Sequence, residues 1–164
     1  MIIIVTGVSG AGKTTIGKRL AADLGWCFEE GDDYHSQSNI DKMSRGEPLD
    51  DLDREAWIGS LRARIEELLC RQQSAVFACS ALKQSYRQRL RVDSQQVRIV
   101  HLNGGYKMIR QRLEQRQHHF MPASLLPSQF QTLEVPRDAL VIDASLSPSD
   151  IVAEIKRALN LSAG

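Results

Sequence analysis

The chain has 164 residues, 42% hydrophobic and 25% charged, which fits one compact domain able to bury a core without disulfides or structural metal. Its 21 basic and 20 acidic residues leave a net charge of +1, so bulk electrostatics point neither to nucleic acid nor to a membrane surface. Cys27, Cys70 and Cys79 are odd in number and lack C-x-x-C spacing, which argues against a disulfide framework or zinc site; Cys27 and Cys79 lie in apolar runs and are expected as buried, reduced thiols.

The apolar run Met1 to Val5 is too short for a secretory or membrane-spanning segment, and nothing later is longer, so a cytoplasmic protein is expected. Within it, Ile2-Ile3-Ile4-Val5 is a β-branched run of the kind buried on both faces of a parallel sheet. Ile16, Leu20 and Leu24 then mark one face of a helix that Gly25 ends. Trp26 to Glu29 is expected as a second strand, and Trp57, Leu61, Ile65 and Leu68 as a long helix capped by Asp53. Ala75 to Cys79 reads as a third strand and Lys83 to Arg91 as a helix. Val97 to Leu102 reads as a fourth strand, followed by a helix bearing Met108, Ile109 and Leu113. Leu140 to Ile142 is the last strand, and a helix opening at Pro148 buries Ile151, Val152, Ile155 and Leu159. The alternation predicts an α/β fold with a parallel sheet and helices on both faces, in one domain spanning 1–164. Residues 118–136, polar and proline-bearing, do not fit the sheet and are expected as a lid carrying a short helix.

Gly7-Val8-Ser9-Gly10-Ala11-Gly12-Lys13-Thr14 matches G-x-x-x-x-G-K-[ST] and lies between a predicted strand and a predicted helix, as a phosphate-binding loop requires. Glycines let the backbone turn several N–H groups onto one spot, and the helix N-terminus adds partial positive charge. Gly7, Gly10, Ala11, Gly12, Lys13, Thr14 and Thr15 form the expected nucleotide-binding set, with Lys13 on the β- and γ-phosphates and the Thr14 hydroxyl on Mg²⁺. No N-K-x-D guanine motif follows, and the small size favours a kinase of the nucleoside-monophosphate-kinase-like branch over a motor or transporter.

Glu30-Gly31-Asp32-Asp33-Tyr34-His35 follows the second strand, whose end opens on the same sheet edge as the phosphate loop. Acidic groups there repel phosphate unless one holds Mg²⁺ through water and another accepts a proton, and Asp32 is the candidate for that base. Lys83 and Arg87, four apart, could bind an anionic group of the acceptor, whereas Arg89 and Arg91 read as solvated. Arg112 and Arg116 share a helix face and could reach the transferring phosphoryl group or stack on adenine; Arg110 lies off that face. His118 and His119 read as polar lid residues rather than metal ligands.

The blocks Gly31-Asp32-Asp33-Tyr34-His35, Asn39 to Met43, Gly46-Glu47-Pro48-Leu49, Asp51 to Arg54 with Trp57, Cys79 to Lys83 with Tyr86-Arg87, Arg112-Leu113, Arg116, His119-Phe120, and Ser128 to Glu134 run in order over nearly the whole chain. Together they resemble the gluconokinases of the shikimate-kinase-like group. The resemblance implies transfer of the ATP γ-phosphoryl group to gluconate, giving 6-phosphogluconate, on a five-stranded parallel sheet with a lid closing over ATP. It implies that Asp32 holds the acceptor hydroxyl, Arg54 anchors the carboxylate and Arg116 packs on adenine opposite Pro148. His35, Ser80, Lys83 and Arg87 belong to the implied acceptor set. The resemblance is compatible with a homodimer. Two departures stand out: Glu30 replaces the family's usual Asp, and Cys79-Ser80 ends the third strand without a Walker-B aspartate, which the family shares. Two rival readings remain, a kinase for another small acceptor such as shikimate and a nucleotide-binding regulator without turnover.

Overall fold

The structure, a computed structural model, describes residues 1–115 and 123–161. Five strands form one sheet: β1 (Ile2–Thr6), β2 (Cys27–Glu30), β3 (Ala75–Ala78), β4 (Val97–Asn103) and β5 (Leu140–Asp143). Their order is β2-β3-β1-β4-β5, and every neighbouring pair is parallel. Parallel strands need crossovers, and the helices supply them. They are α1 (Lys13–Leu24), α2 (Gln37–Ser44), α3 (Asp51–Cys70), α4 (Gln84–Leu90), α5 (Tyr106–Glu114), α6 (Leu126–Thr132) and α7 (Pro148–Ala158).

β1 is central, and alternate residues of its uniformly apolar run serve the two sides of the sheet. Ile3 and Val5 pack with Ile16 and Leu20 of α1, Ile109 of α5 and Ile151 and Ile155 of α7. Ile2 and Ile4 pack with Trp57, Leu61, Ile65 and Leu68 of α3 and Leu90 of α4. Helices thus cover both faces, as the strand–helix alternation requires.

Element boundaries depart from the sequence expectation where local chemistry competes. Asp53 was expected to cap α3, but Asp50 does so, accepting from Asp53 N–H at 2.8 Å, while the Asp53 carboxylate reaches back to Asp50 N–H at 3.1 Å. The reciprocal pair is a capping box, in which the third helical residue completes the cap. Helix α2, capped by Ser36, was not anticipated; its eight residues are polar and bury only Asn39 and Met43, too few to print a periodicity. β2 begins one residue late, and Cys27 is exposed rather than buried because it opens an edge strand. Gly25 ends α1 in a left-handed conformation, and Pro148 opens α7, as expected. In the expected lid, 118–136, a 3₁₀ turn (Ala123–Leu125) leads into α6; its residues 118–122 lie outside the described residues.

One buried polar pair sits beneath the phosphate loop. His101 on β4 is paired in register with Thr6 on β1, and its Nδ1 lies 3.1 Å from Thr6 Oγ1. Burial first, then the charges of Arg87 and Lys13, lower its pKa to about 4, so the folded protein holds a neutral imidazole. A base whose pKa falls on folding contributes stability above its unfolded value of about 6.5 and loses it as pH drops towards the folded value. Melting temperatures should therefore fall between pH 6.5 and about 4. His101→Gln should show a shallower decline over that window in thermal scans.

Candidate active site

The C-terminal ends of β1, β3 and β2 lie side by side, so the loops leaving them share one edge of the sheet. From β1 comes the phosphate loop. Gly7, Gly10 and Gly12 take φ values of 143°, 83° and 103°, which L side chains rarely adopt. At Gly7 space forbids a side chain as well, since a Cβ would lie 2.9 Å from the Leu102 carbonyl oxygen. The loop feeds the N-terminus of α1, where Lys13 Nζ donates to Val8 O at 3.1 Å and Thr14 and Thr15 are exposed. The Thr14 hydroxyl donates to Glu30 Oε2 at 2.7 Å, joining the phosphate loop to the end of β2.

β2 continues into a 3₁₀ turn, Gly31–Tyr34, that presents Asp32. Gly31 lies so close to β3 that a Cβ would fall 2.5 Å from Ala78 O. The indole of Trp57 donates to Gly31 O at 2.7 Å, and the Tyr34 hydroxyl donates to Glu29, which Arg64 of α3 also grips at 2.7 Å. The turn is thus pressed onto the sheet from below and tied to α3 from the side. Around it, burial raises the Glu30 carboxyl above its ordinary range; the bond from Thr14 opposes this, Asp32 adds to it and Lys13 counters it. Burial likewise pushes the Cys79 thiol up to about 12, leaving a protonated core group.

Beside this turn opens a cavity lined by both polar and apolar side chains, the mix expected of a small-molecule site. Asp32, His35, Arg54 and Ser80 all line it, so four residues singled out from sequence meet there. His35 stacks on Trp57, ring centroids 4.4 Å apart, and burial lowers its pKa, with Asp32 opposing and Arg54 reinforcing the shift. Arg54 enters from the first turn of α3. That turn is held by the cap, by Asn39 Nδ2 donating to Asp53 O at 2.7 Å and by the Lys42–Asp53 ion pair at 2.8 Å.

Two expected acceptor contacts are engaged elsewhere. Lys83 pairs with Asp51 at 2.6 Å, and Asp51 also accepts from the Tyr86 hydroxyl. Arg87, expected on the acceptor, is 4% exposed and donates to the carbonyls of Ala81, Leu82 and Glu134. Its structural use is clear: Ala81 takes a φ of 35°, and the guanidinium braces that strained turn beside Ser80. Neither lines the cavity, where Arg54 is the cationic side chain among the described residues. Arg112 lies on α5 near Asp143, whose carboxyl is lowered chiefly by the Ser145 backbone bond and further by Arg112. Pro148 is exposed at the start of α7, and Arg116, its expected partner across adenine, lies outside the described residues together with His118 and His119. Arg110 pairs with Glu114 on the exposed surface, as a solvated side chain would.

Helical periodicity places Trp57 on the inward face of α3 without assigning it a site role, yet its ring lines the cavity and its N–H fixes the Asp32 turn. Tyr86, Ser128 and Gln129 also line it, though residue spacing gave them no site role.

A family model described as an AAA domain matches residues 2–136. The gluconokinase of Gluconobacter oxydans (strain 621H) is 44% identical over 158 residues, covering 94% of this chain and 89% of that protein. The chain belongs to the gluconokinase family. Among solved structures, a gluconokinase from Sinorhizobium meliloti 1021 superposes with a TM-score of 0.81 at 38% identity, covering 96% of this chain and 94% of that one. An unliganded sugar kinase from Janibacter sp. HTCC2649 superposes with a TM-score of 0.91 at 40% identity, covering 98% and 95%. The α/β fold with a five-stranded parallel sheet is thus that of the P-loop kinases, and this chain is a kinase of that type. Among the described residues, no helix is long and apolar enough to cross a membrane.

Gly31→Ala should destabilise the protein by about 1–3 kcal/mol, because the added methyl must push backbone apart. Urea unfolding measures the loss. Activity should fall further than the folded fraction does, since Asp32 moves with the turn.

Proposed function

We propose that the protein phosphorylates gluconate with ATP, transferring the γ-phosphoryl group to the primary hydroxyl and yielding 6-phosphogluconate and ADP. The observation that carries the reading is the cavity itself: the carboxylate of Asp32 and the guanidinium of Arg54 both line it, together with Gln129, which accepts from Ser9 N–H of the phosphate loop. A sugar acid has a carboxylate for Arg54 and hydroxyls for Asp32, His35 and Ser80. A guanidinium binds a carboxylate through parallel donors, which fixes the chain direction of the substrate. The hydroxyl remote from that carboxylate then faces Asp32.

Lys13 and the loop N–H groups hold the β- and γ-phosphates, and Lys13 meets the charge that spreads over the transferring group. Asp32 orients the attacking hydroxyl and takes its proton. The donor set at the loop mouth suits Mg²⁺, since the Thr14 hydroxyl, Glu30 and Asp32 are all hard oxygen ligands; the longer Glu30 side chain reaches Thr14 directly. When bound, Mg²⁺ would supply positive charge that offsets the charge of the phosphates. His35, held largely neutral by burial, donates or accepts a hydrogen bond without adding charge. Arg116 and Pro148 are proposed at the adenine, with Arg112 beside them.

The test is ADP release from ATP and Mg²⁺, with gluconate, shikimate, related sugar acids and nucleoside monophosphates compared in parallel. Gluconate should give by far the highest kcat/KM. Equal or faster turnover of another acceptor would overturn the substrate assignment, and ATP binding with no turnover on any acceptor would favour a regulator. Lys13→Ala should lower kcat/KM by about a hundredfold or more, because a charge contact to the transition state is lost.

A further inference from the structure

The segment around α6 touches three separate walls of the site. Gln129 Oε1 accepts from the backbone N–H of Ser9, buried within the phosphate loop, at 2.6 Å. Leu125, just before the helix, closes a small apolar cluster with Met43 of α2 and Leu49. Just after the helix, Glu134 N–H donates to Leu82 O at 2.9 Å, its carboxylate accepts from Gln84 N–H at 2.6 Å, and its carbonyl accepts from Arg87 at 2.7 Å. Leu125, Ser128 and Gln129 meanwhile form part of the cavity that takes the acceptor. One short segment is therefore pinned to the donor loop, to the far side of the acceptor cavity and to the loop after β3.

We propose that Gln129 is a positioning residue: by holding the phosphate loop at Ser9, it sets the acceptor cavity in register with the phosphoryl donor. The proposal rests on the gluconokinase reading of the cavity. In-line transfer needs the reacting oxygens in near-attack geometry, and a misplacement of about 1 Å can cost about a hundredfold in rate. Of the three attachments, only Gln129 reaches the phosphate loop. The residue type suits the place. A carboxamide oxygen accepts from a backbone N–H without setting a negative charge beside bound phosphates, as Glu would. Asn would be one methylene too short. Neither substrate depends on Gln129 for its charge contacts, which come from Lys13 and the loop N–H groups on one side and Arg54 on the other. Its loss should therefore show in turnover rather than in binding.

The experiment compares the full chain with its Gln129→Ala and Gln129→Asn variants. It measures kcat, KM for ATP and for gluconate, ADP released per 6-phosphogluconate formed, and nucleotide sites per chain titrated with a non-hydrolysable ATP analogue. Both variants should lose about 10- to 100-fold in kcat with the sites per chain unchanged. Each KM should stay within about threefold of wild type. ADP per product should rise above one, because a displaced acceptor leaves the phosphoryl group to water. Turnover within about twofold of wild type in both variants would overturn the proposal. A kcat loss matched by an equal loss of nucleotide sites would overturn it too, since that marks a merely structural contact. Should the wild type bind ATP but leave gluconate untouched, the substrate reading falls and takes this proposal with it. Wild-type turnover of gluconate with indifferent variants removes the role of Gln129 alone.

Discussion

Parallel pairing of β1, β3 and β2 is the constraint on which the rest depends. Because the three strands run the same way, the segments leaving them, the phosphate loop, Ser80 and the Asp32 turn, emerge at one edge. The side-chain bond from Thr14 to Glu30 spans the two outer loops. The Asp32 turn is held by close packing on β3 together with hydrogen bonds to α3 and Glu29. Gly31 is the residue that permits contact with Ala78, and the Trp57 indole holds the turn down. A larger residue at 31 would lift Asp32 off the sheet, so the fold and the chemistry share one contact.

Charge is distributed around that edge with a clear division. Lys13 lies near the acidic pair Glu30 and Asp32, and Arg54 lines the cavity beside Asp32. The other cations nearby are occupied in structural work: Lys83 with Asp51, Arg64 with Glu29 and Glu67, Arg87 with three main-chain carbonyls. Arg87 shows why a basic residue near a site is not thereby a ligand. Its guanidinium holds the Ala81 turn in a conformation that the local sequence disfavours, and so keeps Ser80 at the cavity wall.

The fold was legible because its signals are strong and local: an apolar β-branched run, a glycine-rich turn with Lys and Thr, and helices with inward faces at regular spacing. The Asp32 turn was legible from an acidic cluster at a strand end. What escaped reading depends on contacts distant in sequence. Gln129 meets Ser9 across 120 residues, and Trp57 meets Gly31 across 26, neither of which leaves a periodic trace. Lys83 and Arg87 stand at helical spacing, as expected, but spacing does not reveal that Asp51 and a set of carbonyls claim them first. The cap of α3 slid from Asp53 to Asp50 because either aspartate can cap, and the pair settles into the arrangement that satisfies both N–H groups.

The most direct test of the account is the Asp32→Asn variant, which keeps the shape of the turn but removes the proposed base. Turnover with saturating ATP and gluconate would be measured beside affinity for a non-hydrolysable ATP analogue. A loss of about 10²- to 10⁴-fold in kcat with analogue affinity retained is the predicted result, in line with removal of a positioned general base. Turnover near that of the wild type would contradict it, and would mean that the sheet edge brings Asp32 to the phosphate loop for some purpose other than proton transfer.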